Sequence, residues 1–236
     1  MAMGSQTKYE SPVIGVGWKK ILELQELCYI HRVEIFNPFQ KERKMADILG
    51  VCGSARKKGN TAALLNEVLK STGMESELIF LSDLNIGFCS GCLICRENKG
   101  KCSKDDGMQI VLDKFLSSKA VVLGSPNYYY DISGLMKNMV DRSIAWCYLG
   151  IGEHTGTEWH GWQPFVDKAA GFVISQAAYG AEMAMGTFNC FAEWTGLNHI
   201  GTVIASVGSQ SVGEFPEYLE ESQKLGQKIE EEVNKK

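Results

Sequence analysis

Cysteines 89, 92, 95 and 102 stand in the segment CSGCLICRENKGKC, separated by two, two and six residues in a chain that has 8 cysteines in all. Thiols gathered in this way have a short list of chemistries open to them. C-x2-C-x2-C can wrap three corners of a [4Fe–4S] cubane, and Cys102, six residues further on, can complete the set within the same segment. Structural zinc also takes four cysteines, but usually as two short pairs set well apart. A disulfide knot suits a small secreted domain, not a chain of 236 residues that can bury a full core. The spacing favours a cluster, with zinc or free redox-active thiols as the alternatives. Ser90 and Gly91 are small enough to let backbone N–H groups approach the sulfurs, and such bonds tune a cluster's potential. Cys28, Cys52 and Cys190 read as small apolar packers, and Cys147 is undecided.

A second chemistry lies upstream. GSARKKGNT, residues 53–61, follows a short apolar run and precedes a helical pattern. Gly53 and Gly59 permit tight turns, and Ser54, Asn60 and Thr61 bring hydrogen-bonding side chains. Arg56, Lys57 and Lys58 bring charge to a helix N-terminus whose N–H groups are free. A terminal phosphate fits such a nest. Neither the Walker A spacing nor G-x-G-x-x-G is present. A plain Gly-containing strand–helix turn is the simpler alternative.

SPNYYYDIS, residues 125–133, is the third such stretch. Ser125, Pro126 and Asn127 form a turn, and Tyr128, Tyr129 and Tyr130 offer flat faces and hydroxyls to an aromatic ligand. Asp131 or Ser133 can cap the next helix. Any one of the tyrosines taken singly reads better as surface or interface packing, and it is the run of three at a strand's carboxyl end that points to a ligand. A phosphate nest and an aromatic loop together suggest a flavin mononucleotide, FMN.

Elements must bring these stretches together. Continuous apolar runs at 47–52, 75–82, 119–125, 168–175 and 199–207 read as buried strands. Amphipathic patterns at 61–72, 105–117, 133–144, 181–196 and 215–236 read as the helices between and after them. That alternation predicts an α/β fold, a three-layer doubly wound parallel sheet of five strands. The order 2-1-3-4-5 puts the loops after strands one and three at the topological switch point. The leader, residues 1–44, carries one amphipathic helix at 17–31 and a linker; residues 45–236 form the FMN-binding domain, with the cysteine segment an insertion at 83–104.

The net charge of −4, without a basic stripe, points away from nucleic acid. No run of eighteen apolar residues and no signal-like leader is present, so a cytoplasmic chain with no membrane partner is expected. Residues 146–162, WCYLGIGEHTGTEWHGW, hold three tryptophans and two histidines and read either as a lid or as an oligomer interface. His154 and His160 are candidate proton donors there, or plain exposed histidines.

These motifs resemble a known family. GSARKKGNT is similar to the phosphate loop of the NADPH-dependent FMN reductase group of flavodoxin-like proteins. SPNYYYDISGLMKNMVDR resembles that group's SP-x-Y loop and K-x-x-x-D-R helix, here Lys137, Asp141 and Arg142. The cysteine run, with Asp105 and Asp106 after it, resembles the compact motif of the iron–sulfur flavoproteins in that group. Tyr129 and Tyr130 stand where the family usually has a small residue, and 146–167 is longer than its counterpart. The resemblance implies Cys89, Cys92, Cys95 and Cys102 as cluster ligands and a ferredoxin-like donor. It also implies a homodimer or homotetramer in which cluster and flavin meet across an interface.

Two readings follow. In one, the chain moves electrons from a ferredoxin-like donor through a [4Fe–4S] cluster and FMN to a small-molecule acceptor. In the other, it is a cluster-free NAD(P)H-dependent reductase of flavins, quinones or nitroaromatics, with zinc or free thiols at the cysteines. A zinc-stabilised binding module, the third possibility, leaves both switch-point loops without a purpose.

Overall fold

The computed structural model describes residues 46–150, 153–154 and 162–235, and of 153, 154 and 162 only the backbone. They belong to a unit running from Lys44 to Lys236. The helix expected at 17–31, with the linker after it, lies outside the described residues.

Strand β1 (Ile48–Cys52) leads through the glycine loop into α1 (Asn60–Ser71), then β2 (Ser76–Phe80). The cysteine segment holds one short helix, α2 (Ile94–Glu97), which the sequence reading lacked. After α3 (Met108–Ser117) come β3 (Ala120–Tyr128), β4 (Asp131–Ile132) and α4 (Gly134–Arg142). The two-residue strands β5 (Glu153–His154) and β6 (Trp162–Gln163) pair with each other. Then follow β7 (Ala169–Gln176), α5 (Ala181–Thr195), β8 (Asn198–Ser206) and α6 (Pro216–Asn234).

The parallel strands lie in the order β2-β1-β3-β7-β8, which is 2-1-3-4-5 counted along the chain. The expected sheet of five strands is in fact six: β4 folds back antiparallel on the end of β3, pairing Asn127 with Ile132 and Tyr128 with Asp131. Residues 126–128, read as loop, therefore continue the strand.

Side chains alternate between two cores, as the period of two along a strand requires. Leu49, Val51, Val121, Leu123, Phe172 and Ile174 face α3, α4 and α5. Ile48, Cys52, Val122 and Val173 face α1 and α6. β1 and β7 are buried along their whole length, which is why they read as unbroken apolar runs. α1 buries Leu64, Leu65, Val68 and Leu69, each worth roughly 1.5–3 kcal/mol. Trp146 is core rather than lid: it packs on Phe115, Phe165 and Phe191 at 5.0, 5.6 and 6.3 Å between ring centres. Of the long loop that follows, residues 155–161 and the side chains of His154 and Trp162 lie outside the described residues. Cys52 and Cys147 are buried, whereas Cys190, expected to pack, is exposed.

Candidate functional site

Adjacent strands β1 and β3 deliver the glycine loop and the tyrosine loop to one edge of the sheet, and the chain stitches them together there. The Gly53 N–H donates to the Gly124 carbonyl at 2.7 Å. Ser133 caps α4 by accepting from the Met136 N–H at 3.2 Å, and its hydroxyl donates to the Gly53 carbonyl at 2.6 Å. The buried Ser125 hydroxyl accepts from the Ser133 N–H at 2.8 Å. Sequence reasoning gave Ser133 only the cap; the bond to Gly53 makes it the joint between both loops.

Within the glycine loop the side chains divide their work. Ser54 is buried, and its oxygen accepts from the Arg56 N–H at 3.2 Å, which shapes the turn. The Gly59 N–H closes that turn on the Arg56 carbonyl at 2.9 Å. α1 then starts at Gly59 without a side-chain cap and without an acidic residue in its first turn. Asn60 and Thr61, expected to face a phosphate, both carry hydrogen bonds within the chain, and Asn60 also lines the cleft beside the loop. Asn60 donates to the Gln210 carbonyl and accepts from the Val212 N–H, both at 2.9 Å. Thr61 shares a 2.6 Å hydrogen bond with buried Ser175. Arg56 and Lys58, with Gly59, Ser209 and Ser211, line an open cleft beside the loop. Lys57 leans away onto Asp83 at 2.8 Å.

The tyrosine loop is a two-residue hairpin turn. Tyr129 and Tyr130 both take left-handed backbone, φ 52° and 67°, as a type I′ turn requires and as non-glycine residues resist. Tyr129 is 97% exposed. The Tyr130 ring lies 5.8 Å from that of Tyr179, in the loop after β7, and the hydroxyls are 3.4 Å apart. Gly180 makes this approach possible, because a Cβ there would sit 2.2 Å from Tyr130 Cδ1. Asn127 donates to Gln176 Oε1 at 3.0 Å and to the Tyr179 carbonyl at 3.2 Å, while its own Oδ1 is buried without a partner.

The four cysteines line one pocket, together with Leu93, Arg142, Ala145 and Tyr148. Cys95, on α2, is buried; Cys102 is half-buried; Cys89 and Cys92 are exposed. Gly91 and Leu93 bend the loop through left-handed backbone, φ 65° and 60°. Arg142, from the end of α4, reaches in beside Cys102 and pairs with Asp106 at 2.7 Å. Among the described residues no group of three or more His, Cys, Asp or Glu side chains is gathered closely enough to hold a single metal ion. Cys147 lies outside the pocket, with its thiol donating to the Trp194 carbonyl.

Electrostatics differ from thiol to thiol. A hydrogen bond with Ser103, with N–H help from Ile94, lowers the Cys92 thiol below its ordinary value. Burial, and then the neighbouring Cys102, raise Cys95. Burial pushes Cys147 up to about 11. For Asp106 burial acts upward, but Arg142 and the Gly87 and Met108 N–H groups outweigh it and hold the carboxyl below its ordinary value.

Residues 46–211 match the family described as NADPH-dependent FMN reductase. The chain belongs to that family. It is 37% identical over 99 residues to an iron–sulfur flavoprotein of Methanocaldococcus jannaschii, covering 41% of this chain and 51% of that one. The chain thus spans about half the length of that relative. It is also 30% identical over 194 residues to an iron–sulfur flavoprotein of Archaeoglobus fulgidus, 80% of each chain. A solved flavone reductase superposes with a TM-score of 0.60 at 21% identity, covering 79% of this chain and 62% of that one, a likeness in fold.

Membership of this family makes FMN the flavin for which the switch-point cleft has to be tested. The uncapped start of α1 with Arg56, Lys58 and Asn60 on the cleft fits a phosphate. The orphaned Asn127 Oδ1, at the end of β3, leaves one buried acceptor for a ligand's hydrogen-bond donor. Sequence reasoning missed Tyr179 and Gln176, although Gln176 ends the strand beside β3 and Tyr179 follows it, where the same switch-point argument applies. It named Arg142 and Asp106 only through the resemblance, since a contact between residues 36 apart leaves no local signal.

Proposed function

We propose that the chain is an FMN-dependent oxidoreductase that carries a [4Fe–4S] cluster on Cys89, Cys92, Cys95 and Cys102. In this reading it passes electrons from a ferredoxin-like donor through cluster and flavin to a small-molecule acceptor. The observation that carries the reading is that all four thiols line one pocket at the far end of α4, the helix whose start joins the two flavin loops. At 1.5 Å per residue, nine residues of α4 separate the two ends by about 13 Å. The donor set fits a cubane better than one zinc ion. Zinc draws all its sulfurs in to about 2.3 Å, whereas a cubane gives each thiolate its own iron around a larger body. The names of the relatives support the same choice.

The chain's residues hold and orient. The α1 N-terminus and Arg56, Lys58 and Asn60 would take the FMN phosphate, and Asn127 with the tyrosines would take the ring system. The cysteine thiols would take the irons. The two groups supply one-electron and two-electron chemistry when bound, and the fold fixes their spacing and excludes solvent from Cys95.

The test compares electron donors. FMN in the parent chain and in Cys95→Ala is reduced under nitrogen by reduced ferredoxin or by NADPH. Bleaching by ferredoxin at least tenfold faster in the parent than in the variant is expected. Fast bleaching of both by NADPH, with no effect of ferredoxin, would favour the cluster-free reductase.

A further inference from the structure

Gly87, Cys102 and Asp106 converge on one side chain, Arg142. Its guanidinium is 1% exposed, and a charge that deep is costly unless every part of it is matched. Four of its five N–H donors are placed. Nη1 donates to the Gly87 carbonyl at 2.6 Å and to Asp106 Oδ2 at 2.7 Å. Nη2 donates to Asp106 Oδ1 at 3.1 Å and to Cys102 Sγ at 3.4 Å. Nε is buried without a partner. Asp106 accepts in addition from the Gly87 N–H at 3.0 Å and the Met108 N–H at 3.1 Å. Gly87, Asp106 and Arg142 form a closed ring, which ties the residue entering the cysteine loop to the residue leaving it. Closing the loop does not require the contact to Cys102; that contact directs a full charge at a ligand sulfur.

We propose that Arg142 is a positioning residue for the cluster: it clasps the loop that carries the four cysteines and fixes a positive charge beside the Cys102 sulfur, which raises the potential at which the bound cluster accepts an electron. This rests on the cluster reading above. One-electron reduction adds negative charge to the cluster and its thiolates, so a nearby cation favours the reduced form. Burial shields that attraction from salt. Asp106 cancels part of the charge, so the two residues act on the potential with opposite signs.

The full-length parent, Arg142→Gln, Arg142→Lys and Asp106→Asn are purified anaerobically. Iron, sulfide and FMN are assayed, and the cluster's midpoint potential is read by an EPR-monitored dithionite titration. R142Q is expected to lower the potential by a tenfold change in the one-electron equilibrium, about 59 mV. R142K keeps the charge and lies between R142Q and the parent. D106N moves the potential upward, which general loosening of the loop would not do. Full iron at the parent potential in R142Q, or shifts of the same sign in R142Q and D106N, overturns the proposal. If R142Q and R142K lose iron while keeping FMN, the clasp is supported and D106N decides the charge: a rise supports it and no change overturns it. A parent chain without iron or sulfide would instead overturn the cluster reading itself.

Discussion

A thiol contributes to a metal centre only when its neighbours hold the sulfur where the metal arrives, and the cysteines differ in this respect. Cys89, Cys92, Cys95 and Cys102 share one pocket, whereas Cys147 is buried outside it with its thiol pushed up to about 11. Each of the first four replaced by Ala is expected to lose at least half of the bound iron while FMN stays at the parent level. Cys147→Ala is expected to keep both. Iron and flavin assays on the five variants check this, and full iron in any of the first four removes that residue from the ligand set. Asp106 offers a separate check through pH. Its carboxyl is held below the ordinary value, so its stabilisation is complete above about pH 4 and is lost as pH falls through the depressed folded value. Removing one partner of a buried pair costs about 3 kcal/mol. Urea unfolding of cluster-free parent and D106N should therefore differ by about that much at neutral pH and converge below pH 4.

Elements decided which sequence expectations survived. The gathering of four cysteines in one pocket was legible because they are local in sequence, all within fourteen residues. The hydrogen bonds that hold Asn60 and Thr61 were not, because their partners Gln210 and Ser175 lie 150 and 114 residues away. A polar residue at a helix start reads as a ligand until something else claims its hydrogen bonds. The β3–β4 hairpin was hidden for another reason. A type I′ turn is normally signalled by Asn-Gly or Asp-Gly, and here two tyrosines occupy the left-handed positions. That choice carries strain. Tyr129→Gly should relieve it and stabilise the chain by about 1 kcal/mol, the left-handed penalty less the entropy that glycine brings to the unfolded state. A lower urea midpoint for Tyr129→Gly would mean that the tyrosine makes up the strain through contacts.

The order of the parallel strands was readable at the scale of the whole molecule, because strands covered on both faces must be apolar throughout and the helices between them fix the crossovers. How tightly the layers meet was not readable. Gly226 on α6 crosses α1 so closely that a Cβ would sit 2.4 Å from the Val68 carbonyl oxygen. Backbone cannot move aside as a side chain can, so Gly226→Ala should cost about 2 kcal/mol in urea unfolding. Wild-type stability in that variant would mean that the two helices separate freely. The larger claim concerns the two ends of α4, flavin loops at one and thiols at the other. It is tested most directly by iron, sulfide and flavin assays on a single anaerobically purified sample, with a low-temperature EPR spectrum after dithionite. The account predicts about four irons and four sulfides for each FMN, with a reduced-cluster signal. FMN without iron, even after anaerobic reconstitution with iron and sulfide, would contradict it.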